Sequence, residues 1–138
     1  MKAKGSSYLK VTGVLEILFG AVSIAMTLWI LSQDPADFNV YGFDVKETLW
    51  TLVLIYGTAA VQIISGLIGI TFSNKLQKAT LCQAFGIILI VMQISYFGRH
   101  DGGAQNVIAN ILGLVVPCFY YFGAVLNKRQ SGEELHAK

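Results

Sequence analysis

The sequence predicts an all-α membrane protein, in which four transmembrane helices form one antiparallel bundle with both termini in the cytoplasm. Three observations support this prediction. Hydrophobic residues make up 54% of the 138-residue chain and charged residues only 13%, which is too apolar for a soluble domain of this size. Four apolar runs are long enough to cross a hydrocarbon core of about 30 Å, which takes about 20 helical residues. Basic residues flank these runs unevenly.

The first two predicted spans are joined by a loop that contains several acidic residues. The first span covers 9–31 and is followed by Asp34-Pro35, where proline disfavours a helical residue before it. An outer loop at 32–48 leads to the second span at 49–72. The loop is therefore the longest segment that we expect outside the membrane.

The last two predicted spans follow a short turn and a glycine-rich loop. A polar turn at 73–78 joins the second span to the third at 79–97, so these two helices must be antiparallel neighbours. A second outer loop at 98–104 leads to the fourth span at 105–126, and 127–138 form a polar cytoplasmic tail. All of these segments belong to a single membrane domain.

The orientation follows from Lys and Arg, which are retained on the cytoplasmic side of a membrane. The predicted outer loops contain only Lys46 and Arg99. The other basic residues flank the two termini and the turn between the second and third spans: Lys2, Lys4, Lys10, Lys75, Lys78, Lys128, Arg129 and Lys138. A multi-pass protein of the cell membrane with both termini in the cytoplasm fits this distribution. The net charge of +2 gives no electrostatic reason to expect nucleic acid binding.

Aromatic residues are expected at the membrane–water interfaces, where amphipathic rings are favoured. The residues that this expectation concerns are Tyr8, Trp29, Trp50, Tyr96, Tyr120 and Tyr121. They lie mostly toward the ends of the predicted spans.

Each predicted span has small and polar residues on one helix face, which allow helices in lipid to approach closely and to form hydrogen bonds. The predicted packing glycines are Gly13, Gly20, Gly66, Gly69, Gly86 and Gly113. We expect a bulky residue at Gly69 or Gly113 to disturb contacts with another copy or a partner. Pro117 removes one backbone hydrogen bond from the fourth helix, which predicts a kink toward Gly113.

Glu16 is the only acidic or basic side chain well inside a predicted span. A carboxylate at that position must be protonated, paired or in contact with water, and such residues are functional hypotheses. It is either a proton or cation site or a structural group that hydrogen-bonds to Gln62, Gln83 or Asn110 across the core. The candidate intramembrane polar site consists of Glu16, Gln62, Gln83, Gln93 and Asn110.

The sequence contains no pattern that is typical of a catalytic, cofactor or metal site. Cys82 and Cys118 stand alone in apolar runs, and His100 and His136 lie in a predicted loop and the tail. No nucleophile motif and no phosphate-binding loop is present. We therefore expect no enzymatic activity, no cofactor and no metal.

The first span resembles the first helix of the small multidrug resistance transporters. That helix contains an essential glutamate, and Tyr8-Leu9, Leu15-Glu16 and Gly20 are similar to it. The resemblance implies a role for Glu16 in coupled transport. The rest of the chain departs from that family, because its first outer loop is longer and the family's conserved loop and glycine-rich third helix have no counterpart.

A second resemblance concerns the run Gly13-Val14-Leu15-Glu16-Ile17-Leu18-Phe19-Gly20. It is similar to the G-x-x-Q-I-x-x-G run of the membrane-spanning four-domain tetraspans, which include a B-lymphocyte surface antigen. Ile64-Ser65-Gly66 resembles the I-S-G run of their second helix. This chain has Glu where that family usually has Gln, and it lacks the large second outer loop. The resemblance implies an oligomeric scaffold or a channel-associated protein. A third interpretation is an uncharacterised group of small bacterial membrane proteins.

Two functions fit these predictions. The first is a scaffold or an accessory subunit that acts by helix packing in the lipid bilayer, as a homo-oligomer or in a larger membrane complex. The second is an oligomeric proton- or cation-coupled transporter or channel for small solutes. Because four thin helices rarely enclose a solute path alone, Glu16 from each copy would then line a shared cavity.

Overall fold

The computed structural model describes residues 2–33, 39–40, 43–44, 49–97 and 104–136. Over these residues the chain forms four long α-helices and one very short β-hairpin. The helices are α1 (Ser6–Gln33), α2 (Leu49–Phe72), α3 (Ala79–Phe97) and α4 (Ala104–His136), and a 3₁₀ turn (Leu76–Lys78) precedes α3. Strands β1 (Asn39–Val40) and β2 (Phe43–Asp44) pair antiparallel.

The predicted helical fold class is confirmed for the part of the chain that the structure describes. All four helices are long and apolar enough to cross a membrane. The turn between α2 and α3 leaves these helices only a short connection, as the polar residues at 73–78 predicted. Most of the predicted outer loops, at 32–48 and 98–104, lies outside the described residues.

Helix α4 is longer than a membrane crossing requires. Its 33 residues extend for about 50 Å at 1.5 Å per residue, whereas a hydrocarbon core is about 30 Å thick. The helix continues to His136, through residues that the sequence assigned to a polar tail. Pro117 lies inside α4, and the chain is α-helical on both sides of it. The kink at this proline stays a prediction.

The helices form a ring in which neighbours along the chain are neighbours in space. Helix α1 packs most extensively on α2, and α3 on α4, while α1 and α4 close the ring. The buried apolar cluster at the centre consists of Leu9, Cys82, Leu89, Tyr120 and Ala124. Three of the four helices contribute to this cluster, so it lies where the helices meet.

Large apolar side chains cover the outside of the bundle, and polar side chains are buried inside it. Val11, Leu112 and Phe119 are 61%, 62% and 49% exposed, whereas Glu16 and Thr27 are buried. Apolar surfaces of this extent mark contact with lipid or with other proteins. The arrangement is the reverse of a water-soluble bundle and is compatible with a multi-pass membrane protein.

The segment before α1 is fixed to α4 and to the end of α2 by a group of hydrogen bonds that we call the N-terminal clamp. The backbone N–H of Gly5 donates to Asn127 Oδ1 at 2.7 Å, and Asn127 Nδ2 donates to the carbonyl oxygen of Ser73 at 2.8 Å. The N–H of Lys4 donates to Gln130 Oε1 at 2.8 Å. Because Asn127 is fully buried, its amide satisfies polar groups that water cannot reach.

Candidate functional site

Glycines allow α1 and α2 to pack with their backbones in contact, along a surface that we call the α1–α2 seam. A Cβ added at Gly13 would lie 2.7 Å from the carbonyl oxygen of Gly66, and one added at Gly20 would lie 2.7 Å from that of Ala59. A Cβ atom does not approach a carbonyl oxygen so closely, so the seam requires glycine at both positions. Glu16 lies between them on the same helix face.

Glu16 is buried within a single chain. Its side chain is 1% exposed, and neither Oε1 nor Oε2 forms a hydrogen bond with any residue that the structure describes. The expected hydrogen bond to Gln62, Gln83 or Asn110 is therefore not formed. A carboxyl group without partners in such surroundings is costly, whichever protonation state it has.

Tyr120 fills the centre of the bundle between two glycines. Its ring is fully buried, against Gly69 of α2 on one side and Gly86 of α3 on the other. A Cβ added at Gly69 would lie 2.5 Å from Cε2 of this ring. The Tyr120 hydroxyl donates a hydrogen bond to the carbonyl oxygen of Ser65 at 2.7 Å. Helix α4 is thereby connected to α2 across the middle of the bundle.

Three residues from three helices form what we call the polar centre: Glu16, Ser65 and Tyr120. The Tyr120 hydroxyl is hydrogen-bonded to the Ser65 carbonyl oxygen, and Ile17, the residue after Glu16, packs against Gly66, the residue after Ser65. Tyr120 and Cys82 belong to the same buried apolar cluster. The Ser65 side chain is 0% exposed, and its Oγ has no hydrogen-bond partner among the described residues. The candidate site predicted from the sequence contained only one of these three residues.

None of the other predicted site residues forms a hydrogen bond with Glu16. The amide nitrogen of Gln93 would lie 2.5 Å from a Cβ at Gly113, so this side chain packs between α3 and α4. Gln93 is seven residues beyond Gly86, about 10 Å along the helix, and Asn110 is ten residues before Tyr120, about 15 Å. Neither forms a hydrogen bond with Glu16.

The remaining two glutamines of the predicted site lie on α2 and α3. Gln62 is buried, 8% exposed, and shares a face of α2 with Ser65. Gln83 is half-buried and follows Cys82 on α3. Neither provides a hydrogen bond to Glu16, as described above.

Two aromatic residues that were expected at the membrane interface are inside the bundle instead. Tyr120 is 0% exposed and Tyr96 is 7% exposed, and the Tyr96 hydroxyl is 2.7 Å from Thr58 Oγ1. Trp29 and Trp50, by contrast, are 57% and 68% exposed. The two tyrosines differ because each has a polar partner on α2 that allows its hydroxyl to be buried.

The structure places Gly69 and Gly113 against their own chain, and the prediction that a bulky residue at either position disturbs contacts with another copy or a partner stays a prediction. Each packs against a side chain of its own chain, Tyr120 and Gln93 respectively, because the small residues of α2 and α4 make room for long side chains of the bundle. Gly57 of α2 is different. It is exposed, and no described atom lies within 4 Å of a Cβ added there.

An apolar groove of about 360 Å³ lies between α1 and α4 on the outside of the bundle. Its lining includes Val11, Leu15, Val115 and Phe119, and Glu16 does not contribute to it. The groove and the polar centre are therefore separate features. Among the described residues, no three His, Cys, Asp or Glu side chains are grouped closely enough to hold a metal ion.

No family model, curated protein or solved structure matches the chain. The two family resemblances and the functions that they imply stay predictions.

Proposed function

We propose that this chain is a non-enzymatic protein of the cell membrane that acts by helix packing, as a self-associating scaffold or as an accessory subunit of a larger membrane complex. Many of its polar side chains are buried inside its own bundle, among them Glu16, Ser65 and Tyr120 of the described residues. The outer surface consists mainly of apolar and small residues, which suit contact with lipid and with other helices. Packing against other helices requires no catalytic or cofactor-binding group.

In this proposal the bundle is antiparallel and both termini are cytoplasmic. The contacts of the α1–α2 seam support the antiparallel arrangement, because Gly13 meets Gly66 whereas the later Gly20 meets the earlier Ala59. The basic residues at both ends of the chain and in the turn at 73–78 support the cytoplasmic position of the termini.

The observation that carries the proposal is the outward face of α2, which we call the outer stripe. Its residues are spaced alternately three and four apart, as in helices that pack against a partner helix, and all of them are exposed. They are Trp50, Val53, Gly57, Ala60, Ile64, Leu67 and Thr71. Small residues at the middle of such a stripe allow a second helix to approach closely in lipid. Gly57 and Ala60 occupy this position.

The substitution Gly57→Leu tests this proposal. We expect it to abolish close contact between copies, because a leucine fills the space that a neighbouring helix requires, while the bundle itself stays intact. Self-association is measured as energy transfer between donor- and acceptor-labelled chains in lipid vesicles, and partners are identified by co-purification from native membranes. Gly132→Leu is the matched control, because a Cβ at Gly132 also has open space but lies near the polar end of α4.

If Gly57→Leu leaves both the energy transfer and the set of co-purifying membrane proteins unchanged, the outer stripe is not an association surface. The packing function would then lose its main support.

The alternative function, an oligomeric transporter or channel with Glu16 in a cavity shared between copies, has less support. A side chain that is 1% exposed in a single chain does not reach a surface at which two copies meet. The observation in its favour is that a carboxyl group is kept inside the membrane region at all. Loss of solute flux in Glu16→Gln, with an intact bundle, would favour this alternative.

A further inference from the structure

Three buried oxygen atoms of the polar centre form no hydrogen bond with any described residue: Oε1 and Oε2 of Glu16 and Oγ of Ser65. The two side chains are 1% and 0% exposed. An unsatisfied buried polar group costs about 1–3 kcal/mol, and more if it is charged, so such atoms are rare in folded proteins. Three of them on facing helices indicate that a small ligand contributes to the stability of this site.

The charges of the side chains around Glu16 indicate the charge of that ligand. Helix α2, which faces Glu16, has no charged side chain. The titratable side chains of the buried cluster on the other helices are Tyr120 of α4 and Cys82 of α3, and neither is a cation. No Lys, Arg or His of the described chain forms an ion pair with Glu16. An ionised Glu16 carboxylate therefore has no positively charged partner among the described residues.

We propose that Glu16, Ser65 and Tyr120 form a binding site for one monovalent cation, a proton or a sodium ion, inside each chain. A single positive charge makes the site neutral, which removes most of the cost of a carboxylate in a medium of low dielectric constant. Carboxylate and hydroxyl oxygens are the ligands that hard cations prefer. This site is independent of the proposed packing function.

The test uses thermal unfolding of the full chain in lipid nanodiscs, in NaCl and in choline chloride at equal ionic strength, between about pH 5 and pH 9. Glu16→Gln keeps the shape of the side chain and removes its charge. Glu133→Gln is the control, because the Glu133 side chain is 66% exposed and forms only a surface ion pair with Lys4.

The two cations give different results. If the ligand is a proton, the melting temperature of the wild type falls as pH rises, because the site is neutral only while the proton is bound, and sodium has no effect. If the ligand is sodium, NaCl raises the melting temperature above its value in choline chloride by about 3 °C or more at high pH. This difference disappears at low pH, where protons compete for the carboxylate. In both cases Glu16→Gln removes the response and Glu133→Gln keeps it.

Ser65→Ala tests whether the hydroxyl is a ligand. If it is, this substitution weakens the affinity of the site for its cation about tenfold, which corresponds to about 1.4 kcal/mol. The half-maximal pH of the response then falls, or the half-maximal sodium concentration rises, by the corresponding amount. If Ser65→Ala instead raises the melting temperature and leaves the response unchanged, Ser65 is not part of the site. The whole proposal is overturned if wild type and Glu16→Gln respond identically to pH and to sodium.

Discussion

Tyr120 determines how closely the helices pack at the middle of the bundle. Its ring lies against Gly69 and Gly86, and its hydroxyl satisfies the carbonyl oxygen of Ser65. A larger residue at Gly69 must displace the ring, and with it the hydrogen bond, whereas a Cβ at Gly86 first meets Cα and Cβ of Tyr121, both at 3.1 Å. The two glycines and the tyrosine therefore form one packing unit that connects α2, α3 and α4.

The substitution Gly69→Ala is expected to destabilise the bundle by about 1–3 kcal/mol, because overpacking a close contact costs this much. The added methyl group would lie 2.5 Å from the Tyr120 ring. Gly57→Ala is the matched control on the same helix, and it should leave the stability unchanged or raise it by up to about 1 kcal/mol. Unfolding by a denaturing detergent measures both variants. Equal stability of the two would show that the Tyr120 ring is not held by Gly69.

The sequence could identify Glu16 but not its surroundings. A lone carboxylate in an apolar run is conspicuous because its burial is costly, whatever the fold. Tyr120 gives no such signal, because a tyrosine in a membrane helix is equally compatible with an interface position. Ser65 was also missed as a site residue, since its role depends on which residues of α4 reach it across the bundle.

The α1–α2 seam is the most extensive helix contact of the bundle and consists of backbone against backbone. Such contacts cannot be formed by longer side chains. The spacing of glycines on one face predicted close packing, while the partner helix could be known only from the structure. Gly13 and Gly20 meet α2, whereas Gly86 and Gly113 meet side chains of α4 and α3.

The substitution Gly13→Val is expected to separate α1 from α2 and to lower the melting temperature by several degrees, since a branched side chain cannot fit against the carbonyl oxygen of Gly66. Ala21→Val is the control, because Ala21 is exposed on the same helix. Differential scanning fluorimetry in detergent micelles compares the two. A melting temperature of Gly13→Val equal to that of Ala21→Val would contradict the seam.

The end of a membrane span and the end of a helix are different boundaries, for a physical reason. The apolar run of the fourth span stops near Leu126, and the charged residues that follow end the membrane-crossing segment. Charge does not end a helix, however. Lys, Arg, Gln and Glu are good helix formers, so α4 continues to His136 beyond the apolar region.

For the molecule as a whole, the distribution of basic residues predicts that both ends lie on the same side of the membrane. Cysteines introduced in Lys2→Cys and Lys128→Cys should react with a membrane-impermeant maleimide only after the membrane is opened. A cysteine in Leu49→Cys, at the start of α2, should react in intact cells, since Leu49 is 83% exposed. The parent chain, with Cys82 buried and Cys118 on the apolar surface, gives the background.

Labelling of Lys2→Cys in intact cells would contradict this orientation. Labelling of the two ends from opposite sides would contradict the even number of spans. The described structure supports four apolar helices of sufficient length, and it is the flanking charges that predict their direction.

The N-terminal clamp also has a consequence for the order in which the protein is made. The ribosome synthesises α1 first and α4 last. The residues just before α1 nevertheless form hydrogen bonds with Asn127 and Gln130 of α4. The hairpin of α1 and α2 can form early through its glycines, before any residue of α4 is available. Until α4 is made, the carbonyl oxygen of Ser65 lacks the Tyr120 hydroxyl, and the N–H groups of Lys4 and Gly5 lack their acceptors. Completion of the last helix provides these partners and fixes the first residues of the chain in the same step.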